Sequence, residues 1–219
     1  MEGVFTMFQS FSEISLTTWA ILAGLIIGGI VLFIIARNKR KWTTRMMANA
    51  SLCIALAFLL SYVKLYEMPQ GGSVTLASML PIFMFSYAYG VAPGLMIGFA
   101  YGLLQFVQGG WFVHPIQFLL DYPLAFAALG LSGFFHDKKN GLITGYLAGT
   151  FGRFLFHEIS GFIFYTTYVD TFKGNLAALW ASTAYNLSYI LPEIIITLVL
   201  LAIPAVRNAL AKVKILATE

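Results

Sequence analysis

The sequence predicts an all-α integral membrane protein, and its composition is the first observation that indicates this class. Hydrophobic residues make up 59% of the 219-residue chain and charged residues only 10%, whereas soluble domains average about 45–50% and 25%. A helix crosses the hydrocarbon core of a bilayer with about 20 apolar residues. A chain of this length therefore holds six or seven spans joined by short loops, with no room for a soluble domain.

The placement of charge is the second observation. The net charge is +4, and the cations flank apolar runs, so we interpret them as topology signals and predict no nucleic-acid partner. Cytoplasmic loops carry an excess of Lys and Arg, which predicts a multi-pass protein of the cell membrane with its N-terminus outside and its C-terminus cytoplasmic. Ten cations are assigned to the inside, against Lys64 and Lys173 outside: Arg37, Lys39, Arg40, Lys41, Arg45, Lys138, Lys139, Arg207, Lys212 and Lys214.

Cysteine usage limits the chemistry further. The chain has one cysteine, Cys53, in an apolar run, which leaves no intrachain disulfide and no multi-cysteine metal site. We predict neither a metal nor a cofactor.

The first predicted span covers residues 17–36 and carries no ionisable residue. Its Gly24 and Gly28 form a small-residue pattern that suits close helix packing. We interpret residues 1–45 as an additional N-terminal transmembrane helix with a cytoplasmic basic linker, and residues 46–219 as a membrane domain of six helices.

The second span, residues 46–63, carries Ser51 and Ala55 on one face. Small residues let another helix approach closely, and both a docking surface and ordinary internal packing fit this pattern. Residues 64–73 form a polar, Pro- and Gly-containing segment, which predicts an exterior loop. This loop is either a lid over a pocket or a plain connector. The third span, residues 74–87, is short and interrupted by Pro81.

The fourth span ends near residue 107, and its Gly94, Gly98 and Gly102 predict close packing on another helix. In the fifth span, residues 116–135, helical spacing places Gln117, Asp121 and Ala125 on one face. A charge at the bilayer centre costs about 2.5–3.5 kcal/mol, so such a residue usually faces a cavity or a partner. His114 precedes this span, where we expect it to position the turn.

The last two spans carry further polar residues at membrane depth. Residues 141–165 include Arg153, His157 and Glu158, and we expect Arg153 and Glu158 to form a structural ion pair, since paired charges can be buried without a ligand. The final span, residues 176–203, includes Asn186 and Tyr189.

Several polar and aromatic residues fall in the exterior halves of the last three spans, which suggests one pocket open to the outside. A carboxylate, an imidazole, amides and aromatic rings suit a small, flat, cationic, nitrogen-rich molecule. The alternative is that these residues hydrogen-bond helices to one another. No nucleophile, metalloprotease or nucleotide-binding motif is present, so we expect neither catalysis nor ATP hydrolysis. The residues are Trp111, Gln117, Asp121, His157, Tyr165, Trp180 and Asn186.

Five segments resemble the thiamine-specific substrate-binding subunit (ThiT family, an S component) of energy-coupling-factor (ECF) transporters. They lie in order from about residue 46 to the C-terminus and are residues 71–81 (GGSVTLASMLP), 101–105 (YGLLQ), 114–126 (HPIQFLLDYPLAF), 157–161 (HEISG) and 185–189 (YNLSY).

The resemblance implies a six-helix membrane protein, not an enzyme, that captures thiamine outside the cell. It implies partnership with a transmembrane coupling subunit and two cytoplasmic ATPase subunits, and docking on the coupling subunit through Ser51 and Ala55. The substrate-binding residues that we predict from the matched segments and the pocket are Trp111, Gln117, Asp121, Tyr122, His157, Tyr165, Asn186 and Tyr189. The alternatives are an S component for another vitamin or a thiamine precursor, an intramembrane enzyme that uses His157 with Asp121, and a purely structural packing protein.

Overall fold

The computed structural model of the chain describes residues 41–138, 140–168 and 175–218 and positions 20, 23, 24, 27 and 34, but no side chains at residues 165–168, 175 and 218. The described part is mostly helical. Its elements are α1 (Thr44–Ser61), β1 (Lys64–Glu67), β2 (Ser73–Thr75), α2 (Leu80–Tyr89), α3 (Val91–Val107), α4 (Pro115–Phe135), α5 (Gly141–Tyr168), α6 (Asn175–Ala202) and α7 (Pro204–Thr218).

Membrane-spanning character is clearest in three of these helices. Among the described residues, α1, α4 and residues Leu176–Ala202 of α6 are long and apolar enough to cross a bilayer, and α2 and α3 are shorter apolar helices. The predicted class, a helical membrane protein, is therefore confirmed. The predicted first span, residues 17–36, lies outside the described residues apart from isolated positions, so the predicted number of helices stays a prediction.

The predicted exterior loop is a β-hairpin, which an all-α prediction did not contain. Strand β1 pairs antiparallel with β2, and Tyr66 lies opposite Val74. The predicted third span is consequently wrong at its start, because Val74 belongs to β2 and helix α2 begins at Leu80. Pro81 does not interrupt this helix: it lies in the first turn, where an amide N–H has no intrahelical acceptor to lose.

Helix α4 changes its pitch along its length. A π-helical turn, Leu120–Leu124, separates α-helical turns and contains Pro123. Proline has no N–H to continue the α-helical ladder, and the Ala125 N–H bonds instead to the Leu120 carbonyl, five residues back. The prediction that Gln117, Asp121 and Ala125 share one face is therefore only partly correct. Ala125 is fully buried, and Phe126 lies with the other two in the cavity wall.

The glycine face of α3 packs against α4, as predicted. A Cβ atom on Gly98 would overlap the Phe126 carbonyl oxygen, and one on Gly102 would lie 2.5 Å from the Tyr122 carbonyl oxygen. Only glycine allows the two backbones to approach this closely. The interface fixes the distance between α3 and α4.

The C-terminal residues form a further helix, α7, which the sequence did not predict as a separate element. Pro204 begins it directly after α6. The Lys214 Nζ atom donates to the His136 carbonyl oxygen and lies 4.0 Å from the centre of the Tyr87 ring, and the Tyr89 hydroxyl donates to the Ala217 carbonyl oxygen. We call this end of the bundle, where α7 meets the loop after α4, the basic end. The hairpin lies at the opposite end, where α1 finishes.

Candidate functional site

A cavity lies at the hairpin end of the bundle, between the hairpin, the start of α4, the second half of α5 and the first half of α6. The structure brings together seven of the eight residues predicted to bind substrate. The side chain of the eighth, Tyr165, lies outside the described residues. Those that line the cavity are Trp111, Gln117, Asp121, Tyr122, His157, Asn186 and Tyr189.

The carboxylate of Asp121 is held on one side of this cavity by two donors from α5. The His157 Nδ1 atom lies 3.1 Å from Asp121 Oδ1, and the Ser160 hydroxyl donates to Oδ2 over 2.9 Å. The Asp121 side chain nevertheless stays 19% exposed. An ionised carboxylate has about four lone-pair sites, so acceptor capacity is left for a ligand.

The predicted ion pair between Arg153 and Glu158 is wrong. Arg153 does not pair with Glu158: its Nη1 atom lies 3.4 Å from Glu193 Oε2 on α6, and its Nε donates to His157 Nε2 over 3.2 Å. Residues five apart on a helix project to different faces, whereas those three or four apart are neighbours. No role was predicted for Glu193 from the sequence, although a carboxyl group at membrane depth is itself a signal of function.

Glu158 instead belongs to a second polar cluster between α5 and α6. It accepts hydrogen bonds from the Asn186 amide over 2.8 Å and from the Thr183 hydroxyl over 2.9 Å. The same amide nitrogen also donates to Ser182, and Asn186 Oδ1 accepts from the Tyr189 hydroxyl over 2.8 Å. Both N–H groups of the Asn186 amide therefore donate to protein partners. Its carbonyl oxygen can still accept one more hydrogen bond.

The mouth of the cavity is organised around Tyr122. Its hydroxyl accepts from the Trp111 backbone N–H over 2.7 Å, which holds the α3–α4 loop and its partly exposed indole ring over the opening. Gln117 supports the same loop, because its Oε1 accepts from the Val113 N–H over 2.8 Å. His114 Nδ1 accepts from the Ile116 N–H at the start of α4, which confirms the prediction that it positions the turn.

The hairpin covers the cavity, which favours the lid over the plain connector. Gly72 donates its N–H to the Tyr185 hydroxyl over 3.1 Å, and a Cβ atom on Gly72 would lie 2.6 Å from the Tyr189 ring. Gly71 has a positive φ of 89°, a conformation that glycine adopts without strain. Trp180, which we expected near the pocket, is 68% exposed and is not part of its wall.

Comparison with known proteins agrees with this geometry. Residues 47–212 match the thiamine transporter protein family (Thia_YuaJ). The chain is 35% identical to the thiamine transporter ThiT of Bacillus subtilis over 182 residues, which is 76% of this chain and 92% of the relative. It is 29% identical to ThiT of Lacticaseibacillus paracasei over 107 residues, 41% of this chain and 53% of that one.

A solved structure shares the fold. ThiT from Listeria monocytogenes superposes with a TM-score of 0.57 at 22% identity, over 74% of this chain and 96% of that chain. The family is one of transporters and not of enzymes. On the extent of the family match and the identity to the Bacillus relative, the chain belongs to the thiamine transporter protein family.

Proposed function

We propose that this chain captures thiamine outside the cell as the substrate-binding subunit (S component) of an ECF transporter. The observation that carries the proposal is the Asp121 carboxylate, which is anchored by two donors yet exposed to a cavity with aromatic walls, in a member of a thiamine transporter family.

The chemistry of the cavity suits the two rings of thiamine. The aminopyrimidine offers N–H donors, which the remaining lone pairs of Asp121 accept. The thiazolium is a cation, and a desolvated cation over an aromatic face gains about 2 kcal/mol. Trp111, Tyr122 and Tyr185 provide such faces at the mouth and wall, and Tyr165 is a further candidate.

The charge around the cavity also favours a cation. Of the described side chains that lie beneath the hairpin and between α4, α5 and α6, Asp121, Glu158 and Glu193 are acidic and Arg153 is basic. At the mouth, Lys64 and Glu67 neutralise each other in a 2.6 Å ion pair. A pocket with excess negative charge and low-dielectric walls attracts cationic substrates.

The membrane arrangement follows from the charge distribution. Lys41, Arg45, Lys138 and Lys214 lie at the basic end, which we place in the cytoplasm, so that the cavity opens outside. Residues 46–219 form the thiamine-binding membrane domain, whose core is a six-helix S-component bundle. Residues 1–45 add an N-terminal transmembrane helix, with its N-terminus outside, and a basic linker.

The partners of this subunit are a transmembrane coupling subunit and two cytoplasmic ATPase subunits. Ser51 and Ala55 lie on an exposed face of α1 together with Leu52 and Leu56. A strip of small residues on an apolar face suits close packing of a partner helix. We therefore assign the docking of the coupling subunit to this face.

Calorimetric titration of the purified full-length protein with thiamine tests the proposal. Saturable heat, competed by the pyrimidine fragment and by the thiazole fragment, supports it. Preference for another vitamin or for one fragment alone would identify a different S component. Recovery of a chemically altered ligand, seen by mass spectrometry, would instead reveal an enzyme, and no heat with any of these compounds would overturn the proposal.

A further inference from the structure

A buried ion pair borders the candidate site: Arg153 is part of the cavity wall and Glu193 lies behind it. Neither residue has a part in the contacts proposed above for thiamine. Arg153 is 7% exposed and Glu193 is 1% exposed. Such a pair is weak evidence for stability, because removing both charges from water offsets much of their attraction. Its position is the informative feature: the guanidinium contacts His157, and His157 contacts the Asp121 carboxylate.

The contacts with Arg153 and with Asp121 both bear on where His157 carries its proton, and the Arg153 contact acts at Nε2. A guanidinium is a donor and has no acceptor atom, and Arg153 Nε donates to His157 Nε2 over 3.2 Å. The Nε2 atom must therefore present a lone pair. A neutral imidazole then carries its hydrogen on Nδ1, the atom that lies 3.1 Å from Asp121 Oδ1. A proton on Nε2 would instead point the His157 N–H at the Arg153 Nε–H, so that two donors would face each other.

Glu193 in turn fixes the orientation of Arg153. Its Oε2 atom lies 3.4 Å from Arg153 Nη1, and its Oε1 atom accepts from the Thr75 hydroxyl over 2.5 Å. The Phe126 ring lies 4.5 Å from the guanidinium carbon. The arginine is thus held by α6, by the hairpin strand β2 through Glu193, and by α4.

We infer that Arg153 and Glu193 are positioning residues that set the tautomer of His157 and thereby leave the Asp121 edge of the cavity with acceptors only. Oδ1 receives the His157 N–H and Oδ2 receives the Ser160 O–H, so the carboxylate meets a ligand with lone pairs alone. This edge selects a ligand that presents an amino group to it, as an aminopyrimidine does, over the corresponding oxopyrimidine, which presents a carbonyl oxygen at the same position. The identity of the ligand rests on the proposed function, whereas the tautomer does not.

Nitrogen-15 NMR of the full-length protein with labelled histidine tests the tautomer directly. The chain has three histidines, and loss of one signal set in His157→Asn assigns the relevant one. We expect a protonated Nδ1 and a bare Nε2 at neutral pH, with or without thiamine. A proton on Nε2, or equal populations of both tautomers in the wild type, overturns the inference.

Variants then test the role of the pair. Arg153→Met combined with Glu193→Met removes both charges and leaves no unpaired carboxylate in the interior. Asp121 is then the only partner that still favours the Nδ1–H form, so a population with the proton on Nε2 should appear. Arg153→Lys keeps a donor but loses the planar guanidinium and should reduce that population. Arg207→Met at the basic end is the matched control and should leave the spectrum unchanged. A double variant that keeps the pure Nδ1–H form contradicts the inference.

Ligand discrimination is the second measurement. The probe is a thiamine analogue whose pyrimidine amino group is replaced by a carbonyl oxygen. Wild-type protein should prefer thiamine at least about tenfold, since an unmatched acceptor pair is costly, and the double variant should lose most of that preference. An unchanged preference with weaker binding of both compounds would show a merely structural role. If the wild type binds neither compound but keeps the Nδ1–H tautomer, the proposed function fails and the positioning role stands.

Discussion

The two sides of helix α4 are built in opposite ways. Toward α3, its backbone touches glycines: Gly98 and Gly102 leave no space for a Cβ atom beside the Phe126 and Tyr122 carbonyl groups. Toward α5, the Asp121 carboxylate of the same helix is hydrogen-bonded to a histidine and a serine beside an open cavity. The face toward α3 is closely packed, backbone against backbone. The face toward α5 is hydrogen-bonded and borders the cavity.

The difference separates folding from recognition. Close-packed interiors do not absorb added atoms without strain, so the glycine face fixes the distance between α3 and α4. The polar face keeps acceptor atoms that the protein itself does not use. Changes on the first face should therefore alter stability, and changes on the second should alter ligand affinity.

The largest effect is expected on the glycine face. Gly98→Val places atoms where the Phe126 carbonyl oxygen lies, so α3 and α4 must separate, at a cost of about 3 kcal/mol. Thermal unfolding of the detergent-purified protein, followed by size-exclusion chromatography, should show a clearly lower midpoint. Met96→Leu on the exposed face of α3 is the control. A Gly98→Val protein of normal stability that fails to bind thiamine would break the comparison.

The next largest effect is expected at the carboxylate. Asp121→Asn keeps the size of the side chain but weakens charge-assisted hydrogen bonds to the ligand, which costs about 2 kcal/mol or roughly thirtyfold in thiamine affinity. The unfolding midpoint should change little. Asp137→Asn, an exposed position at the basic end, should leave calorimetric affinity unaltered. Equal losses in both variants would show that Asp121 has no special role.

A smaller effect is expected at the mouth. Trp111 lies over the opening, whereas Trp180 lies outside the cavity wall, so thiamine should quench the fluorescence of Trp111. Trp111→Phe should abolish most of the quenching and weaken binding by about 1 kcal/mol, because a smaller ring attracts the cation less. In Trp180→Phe the quenching should persist. Its loss there would relocate the aromatic wall to α6.

The smallest effect on the isolated subunit is expected on α1, away from both faces of α4. Ser51→Leu and Ala55→Leu add bulk to an exposed strip, and we expect changes in stability within about 0.5 kcal/mol and unaltered thiamine binding. Co-purification with the coupling subunit should nevertheless fall. Retention of a stable complex by the Ser51→Leu, Ala55→Leu double variant would exclude this strip as the docking face.

Local signals in the sequence located several polar residues of the cavity wall. Asp121, His157 and Asn186 stand out because polar groups at membrane depth are costly, and the structure places all three in one cavity. Tyr122 and Tyr189 were added by the resemblance to a known family. The partners of buried charges could not be predicted from local signals. Arg153 pairs with Glu193, forty residues along the chain, and the spacing of neither residue indicates that partner.

The change of helical pitch in α4 and the hairpin structure of the loop after α1 could not be predicted from local sequence patterns either. The π-helical turn around Pro123 moves Phe126 into the cavity wall in place of Ala125, which a regular helical wheel does not anticipate. The polar segment after α1 was predicted to be an exterior loop, but its strand pairing and its contact with α6, where Gly72 donates to Tyr185, were not predicted.

By itself, the sequence determined the helical membrane class, the positions of most apolar helices and the residues whose burial needs a reason. These follow from hydrophobicity and helical periodicity, which act along the chain. Only the tertiary structure decided which buried charges are partners, how the hairpin covers the cavity and which atoms of Asp121 and Asn186 still have acceptor capacity. Hydrogen bonds depend on distances of a few tenths of an ångström between distant segments, and no local pattern specifies those distances.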